Sequence, residues 1–224
     1  MRGLRKWTAA TVVAATAVGI GAGPAQPAQQ KPREVAAEGD VFIPGSLAFN
    51  PAQVFVRVGQ VVRWTNTDPV VPHTATEDHG LWNLTGTYGQ TPVSPAGFGP
   101  GEQRSRQFEA GTQHYYCKVH PTQMRGVVKV PVFLSRSVRK SGSKTQYLIF
   151  AQWAAKAPVA GQAFDVEVKR GNGPWRRVRT ATRATSMRFD GGKIETRWTV
   201  RARLRKASDA TKATDWSPTI TIRA

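Results

Sequence analysis

The 224-residue chain is poor in the side chains that most often carry chemistry. It has one cysteine, three methionines and four histidines, and 14 acidic residues stand against 32 basic ones. A single cysteine excludes an internal disulfide, so Cys117 is left free, paired with another chain or given to a metal. The four histidines include no H-x-H pair. That excludes a trinuclear metal cluster, and the chain is read as a non-enzyme. Within residues 40–131 no stretch sustains a helical period, which speaks against a helical or α/β fold there.

The one apolar run, Trp7 to Ala22, follows Arg2, Arg5 and Lys6. Gly23-Pro24-Ala25 then places small residues ahead of a cut before Gln26. Residues 1–25 have the build of a secretory signal peptide. As an anchor the run falls short of the roughly 20 residues a span needs, and it is Ala, Gly and Thr rather than Leu or Ile. The expected location is secreted or extracytoplasmic, at the cell surface or wall. Residues 26–39, rich in Gln, Pro, Ala and charge, read as a flexible linker.

The positive charge is unevenly spread. Residues 26–130 hold nine Lys/Arg and eight Asp/Glu, whereas residues 131–224 hold twenty and six. Two units with different surfaces are expected, 40–131 and 132–224.

Short β signals with turn residues between them fill the first unit. Val54-Phe55-Val56-Arg57-Val58, Gly59-Gln60 and Val61-Val62-Arg63-Trp64-Thr65 read as strand, turn and strand. Asn66-Thr67-Asp68-Pro69 is turn chemistry closing the second of these. Ser105–Phe108, Tyr115–Cys117 and Val127–Val130 read as further strands, with a turn at Ala110-Gly111-Thr112. Many short strands with Gly/Pro turns point to a β-sandwich or barrel. Trp64 and Trp82 are expected in its core.

The candidate site lies in His114-Tyr115-Tyr116-Cys117-Lys118-Val119-His120-Pro121-Thr122-Gln123-Met124. A thiolate, an imidazole three positions on and a thioether four further suit a soft, redox-active metal. The second imidazole is His73, 44 residues before Cys117, so only the fold can unite them. Zinc accepts His2Cys as well. A methionine in fourth place and the lack of a carboxylate donor favour copper. Gln123 is the alternative axial donor to Met124. His79, in a polar turn, and His114, on the opposite side of the strand from Cys117, are left out. Thr74 is placed to supply a hydrogen bond near the sulfur.

Val61 to Thr76 (VVRWTNTDPVVPHTAT) and the stretch from Pro100-Gly101-Glu102 through Tyr116-Cys117-Lys118-Val119-His120-Pro121 to Met124-Arg125-Gly126 resemble cupredoxins of the plastocyanin/amicyanin/pseudoazurin type. The resemblance covers residues 41–131. It implies a Greek-key β-sandwich, one copper per chain, His73, Cys117 and His120 as equatorial ligands and Met124 as axial ligand. It also implies single-electron transfer to a redox partner protein, docked on an apolar patch of Pro121, Val70, Val71 and Pro72. Tyr116 is an electron exit or simply a packed ring.

In residues 132–224 apolar and polar residues again alternate, in Phe164–Arg170 and Arg197–Leu204. An early Trp153, the RWTVRARLR stretch and Trp216-Ser217-Pro218 before the last strand resemble a fibronectin type III domain. The overall expectation is all-β: a cupredoxin sandwich followed by an immunoglobulin/fibronectin III-like one. The basic unit is expected either to solvate its strand faces or to meet an acidic cell-surface polymer, membrane headgroups or an acidic redox partner. Nucleic acid is not an expected partner of an exported chain. The other functional reading is a copper carrier, sequestration or surface-adhesion protein with no redox partner.

Overall fold

The computed structural model describes residues 30–39, 43, 45–89 and 96–224, and every regular element among them is a strand. The expected signal peptide lies outside these residues. The first unit is built from β1 (Arg33–Glu38), β2 (Ala48–Asn50), β3 (Gln53–Phe55), β4 (Val61–Asn66), β5 (Ala75–Glu77), β6 (Asn83–Leu84), β7 (Gln103–Gln107), β8 (Gly111–Tyr116) and β9 (Arg125–Val130). They form two sheets, ordered β2-β1-β4-β7 and β3-β9-β8-β5-β6.

β4 shows why the sandwich forms. Val62, Trp64 and Asn66 are buried while Val61, Arg63 and Thr65 are half-buried, so the two-residue period turns one side of the strand wholly inward. Trp64 meets Trp82, Phe108 and Tyr115 at ring-centroid distances of 6.0, 6.0 and 5.5 Å, and Tyr115 meets Phe49 at 4.8 Å. This aromatic cluster joins the two sheets, and Trp64 and Trp82 are buried in it as expected. The turn after β3 carries the chain from one sheet to the other. Gln60 N donates to Arg57 O, and Gly59 sits at φ +81°, a conformation glycine adopts without strain.

Two expectations change here. Residues 33–38, expected in a flexible linker, form β1 and pair in parallel with β4, with Val35 opposite Trp64. Val35 and Ala37 are buried. The segment is short, Ala-rich and charged, so its own pattern is weak, and pairing with β4 is what orders it. Gly111 and Thr112, expected in a turn, open β8 and pair with Val130 and Lys129.

The second unit comprises β10 (Phe133–Ser141), β11 (Lys144–Gln152), β12 (Gln162–Arg170), β13 (Arg176–Thr182), β14 (Ser186–Gly192), β15 (Arg197–Lys206), β16 (Asp209–Ala213) and β17 (Ile220–Arg223). One sheet is ordered β10-β11-β14; the other is β13-β12-β15-β16, with β17 also on β15. Trp153 is buried and donates from Nε1 to Ala184 O at 2.7 Å. On the outer face of the larger sheet, Asp165 accepts from Arg203, and Glu167 accepts from Arg201 and Arg177. The Arg201 guanidinium lies 4.1 Å from the Trp175 ring and 4.7 Å from the Trp216 ring, and Arg203 lies 4.7 Å from Trp216. Stacking and ion pairing here hold planar cations flat against the sheet.

The two units touch along β8. Thr112 and Asp215 exchange backbone hydrogen bonds of 3.0 and 3.1 Å, Ala110 N donates to Trp153 O at 2.7 Å, and Gln162 Nε2 donates to Leu81 O. Val130, Val132, Trp153, Phe164 and Leu204 belong to one continuous buried cluster with the first unit's core.

Candidate metal centre

The site forms where β8 ends and β9 begins. Their last pair is Tyr116 with Arg125, so residues 117–124 make a loop whose two ends face each other. Two backbone bonds close it: Cys117 N donates to Met124 O at 3.1 Å, and Met124 N donates to His120 O at 3.0 Å. β5 pairs with β8 through Thr76 and Tyr116, and this brings the stretch before β5 against the loop. His73 is fixed there by a bridge to Phe98, with bonds of 3.1 Å from His73 N and 2.8 Å to His73 O. A side chain on Gly97 would run into the His73 backbone, so glycine permits this close approach.

The 44-residue gap in sequence closes to a few ångströms in space. His73 Nδ1 lies 3.8 Å from Cys117 Sγ, and His120 Nδ1 lies 3.9 Å from it. The three ligand atoms all lie within 4.8 Å of one another. Donors about 2.3 Å (sulfur) and 2.0–2.1 Å (nitrogen) from a shared divalent ion, at trigonal angles, stand about 3.8 Å apart. The donor set and its spacing therefore fit one metal ion. His73, Cys117 and Met124 are buried, and His120 is half-buried, so the centre meets solvent at the edge of His120.

Thr74 touches the sulfur and the start of the loop. Its backbone N–H points at Cys117 Sγ from 3.3 Å, and its Oγ1 accepts the Lys118 N–H at 2.8 Å. Burial lowers the pKa of His73 to about 4, helped by the nearby His120 and opposed by Asp68. Burial also lowers that of His120. Both rings are neutral at neutral pH, with a lone pair free for a metal.

The remaining candidates separate clearly. Met124 is fully buried at the end of the loop, whereas Gln123 is exposed and its Oε1 accepts from Thr122 Oγ1 at 2.7 Å. His79 sits by Glu77, Nδ1 to Oε1 3.2 Å, and His114 faces Asp215 at 3.4 Å; neither reaches the cluster. Tyr116 is half-buried under the Arg125 guanidinium, 5.7 Å from the ring centre. Of the expected apolar patch, Val70 and Pro121 are exposed, Val71 is half-buried and Pro72 is buried. Sequence reasoning missed Asn66 and Asp68. In sequence they are turn residues, but they form a buried polar bracket under the His73 loop; an Asn-x-Asp ending a strand just before a candidate donor histidine was the available signal.

A two-sheet β fold with His73, Cys117 and His120 clustered at one end is that of a cupredoxin-type copper domain. Residues 37–131 match the family model of copper binding proteins, plastocyanin/azurin family, and this segment is a cupredoxin domain. Its cofactor is copper. A purple cupredoxin from Nitrosopumilus maritimus is 28% identical, covering 44% of this chain and 98% of its own, with a TM-score of 0.33. A mutant amicyanin in the Cu(I) form is 25% identical, covering 44% of this chain and 81% of its own, with a TM-score of 0.31. A copper-containing nitrite reductase from Thermus scotoductus is 24% identical, covering 50% of this chain and 24% of its own, with a TM-score of 0.32. No curated protein matches the chain.

Proposed function

We propose that the chain is an exported type 1 copper protein that carries single electrons, with His73, Cys117 and His120 as equatorial ligands and Met124 as axial ligand. Copper bound there supplies one-electron exchange between Cu(II) and Cu(I). The protein's part is to hold the donors still. The observation that carries this reading is the convergence of both Nδ1 atoms on a buried sulfur that also faces the Thr74 N–H. A loop closed by two backbone bonds and set between paired strands would hold these donors in place around a bound copper and so limit rearrangement on electron exchange. The burial of Met124 and the exposure of Gln123 support the thioether over the amide as axial donor. The exposed Pro121, next in sequence to half-buried His120, and the exposed Val70, three residues before His73, support docking of a redox partner near the centre.

Residues 1–25 are the export signal in this reading. No helix among the described residues is long and apolar enough to cross a membrane. The strand order of the second unit, three strands against five, supports a fibronectin type III-like sandwich. Its exposed Arg136, Arg139, Lys140 and Lys144 on the β10–β11 hairpin and Arg176, Arg177 and Arg179 on β13 support contact with an acidic surface polymer.

The visible and EPR spectra of the copper-loaded protein test the central claim. The expected result is an intense thiolate-to-copper band with a narrow copper hyperfine splitting, both lost in Cys117→Ser. A colourless Cu(II) protein overturns it. If the coloured protein instead exchanges electrons slowly with small donors, the carrier or sequestration reading replaces it.

A further inference from the structure

Two buried polar atoms in this structure lack a hydrogen-bond partner and face each other: Asp68 Oδ2 and His73 Nε2, 3.6 Å apart. Both side chains are essentially inaccessible to solvent, at 1% and 0% exposure. At that length the pair is not yet a hydrogen bond. Burial without a partner is costly for either atom, so the arrangement calls for an N–H on one side and an acceptor on the other.

The rest of the bracket fixes which atom does what. Asp68 Oδ1 already accepts Val70 N at 2.8 Å and Val71 N at 2.9 Å. Asn66 Oδ1 accepts Asp68 N at 2.9 Å, and Asn66 Nδ2 donates to Val71 O and Phe98 O, each at 2.9 Å. Phe98 is the residue bridged to His73. The carboxylate is therefore held on both sides, and its second oxygen points at the imidazole. A neutral imidazole has one N–H and one lone pair. With a carboxylate oxygen 3.6 Å from Nε2 and the Cys117 sulfur 3.8 Å from Nδ1, the proton belongs on Nε2.

We propose that Asp68 is a positioning residue for the copper centre: its Oδ2 accepts the His73 Nε2–H and so selects the tautomer that leaves Nδ1 free for the metal. A carboxylate behind a ligand histidine orients the ring and raises its basicity. The inference rests on His73 being a copper ligand, and it adds a residue outside the four donors.

Asp68→Asn isolates the one atom at issue. The amide oxygen still serves the Val70 and Val71 amides, and Nδ2, a donor, turns toward Nε2. Nitrogen-15 NMR of histidine-labelled full-length protein reads the tautomer in the apo and Cu(I) forms, both diamagnetic. Wild type is expected to carry the His73 proton on Nε2 in both. In Asp68→Asn the apo ring is expected to shift toward the Nδ1–H form and Cu(I) affinity to fall about 10–100-fold. A wild-type proton on Nδ1 overturns the proposal without recourse to any variant. So does an Asp68→Asn protein with the wild-type tautomer and unchanged affinity. A chain that takes up no copper but shows the tautomer switch keeps the hydrogen bond and rejects the metal reading instead.

Discussion

Replacing Met124 by leucine separates the thioether from the volume it fills. Met124 is fully buried, and its main chain makes both bonds that close the ligand loop. Leucine keeps those bonds and nearly the same volume, so the apo protein should lose less than about 1.5 kcal/mol. Alanine at the same place leaves a cavity and should cost about 2–5 kcal/mol. The reduction potential reads the donor. The axial ligand tunes the potential of a His2Cys copper site, and losing a donor to Cu(II) raises it. Met124→Leu should therefore keep the colour, raise the potential and alter the EPR spectrum at little cost in stability. Gln123→Ala should change neither, since Gln123 is exposed and engaged with Thr122; its stability effect should stay within about 0.5 kcal/mol. Cyclic voltammetry, EPR and urea unfolding of the three variants decide the matter. If Gln123→Ala shifts the potential and Met124→Leu does not, the axial donor is the Gln123 carbonyl.

Two further outcomes concern the second unit. Burial alone would raise the pKa of Asp165, but the Ala181 amide and the Arg203 and Arg205 guanidiniums outweigh it and hold the carboxyl below the usual carboxylate range. A depressed folded-state pKa stabilises the fold above the unfolded value of about 3.9, and that stability is lost as pH falls through the folded value. Asp165→Asn should flatten the acid limb of the stability curve below about pH 4, measured by chemical denaturation; an unchanged limb refutes the assignment. The full chain should bind an anionic polymer such as heparin at low salt and release it as the screening length falls from about 8 Å at 0.15 M to about 3 Å at 1 M. Retention that ignores salt would mean contacts other than charge.

Three of the four candidate donors could be read together because they are local. Cys117, His120 and Met124 share one loop, and their donor chemistry is written in their spacing. His73 could be named as the second imidazole but not placed, since nothing in a 44-residue separation says that β5 pairs with β8. β1 was missed because parallel pairing depends on a partner distant in sequence, and Arg-Glu-Val-Ala-Ala-Glu shows little β preference of its own. Asp68 was missed for a related reason. In sequence it is a turn residue, and only burial against His73 turns its second oxygen into part of the site.

Composition and order along the chain determined the all-β class, the division into a near-neutral and a strongly basic part, and the soft-metal donors, because these depend on residue type and short spacing. Tertiary structure decided the rest: which imidazole nitrogen meets the sulfur, which amide supports it, and how the second unit packs on β8. Those are distances between groups far apart in the chain, and only strand pairing and burial set them.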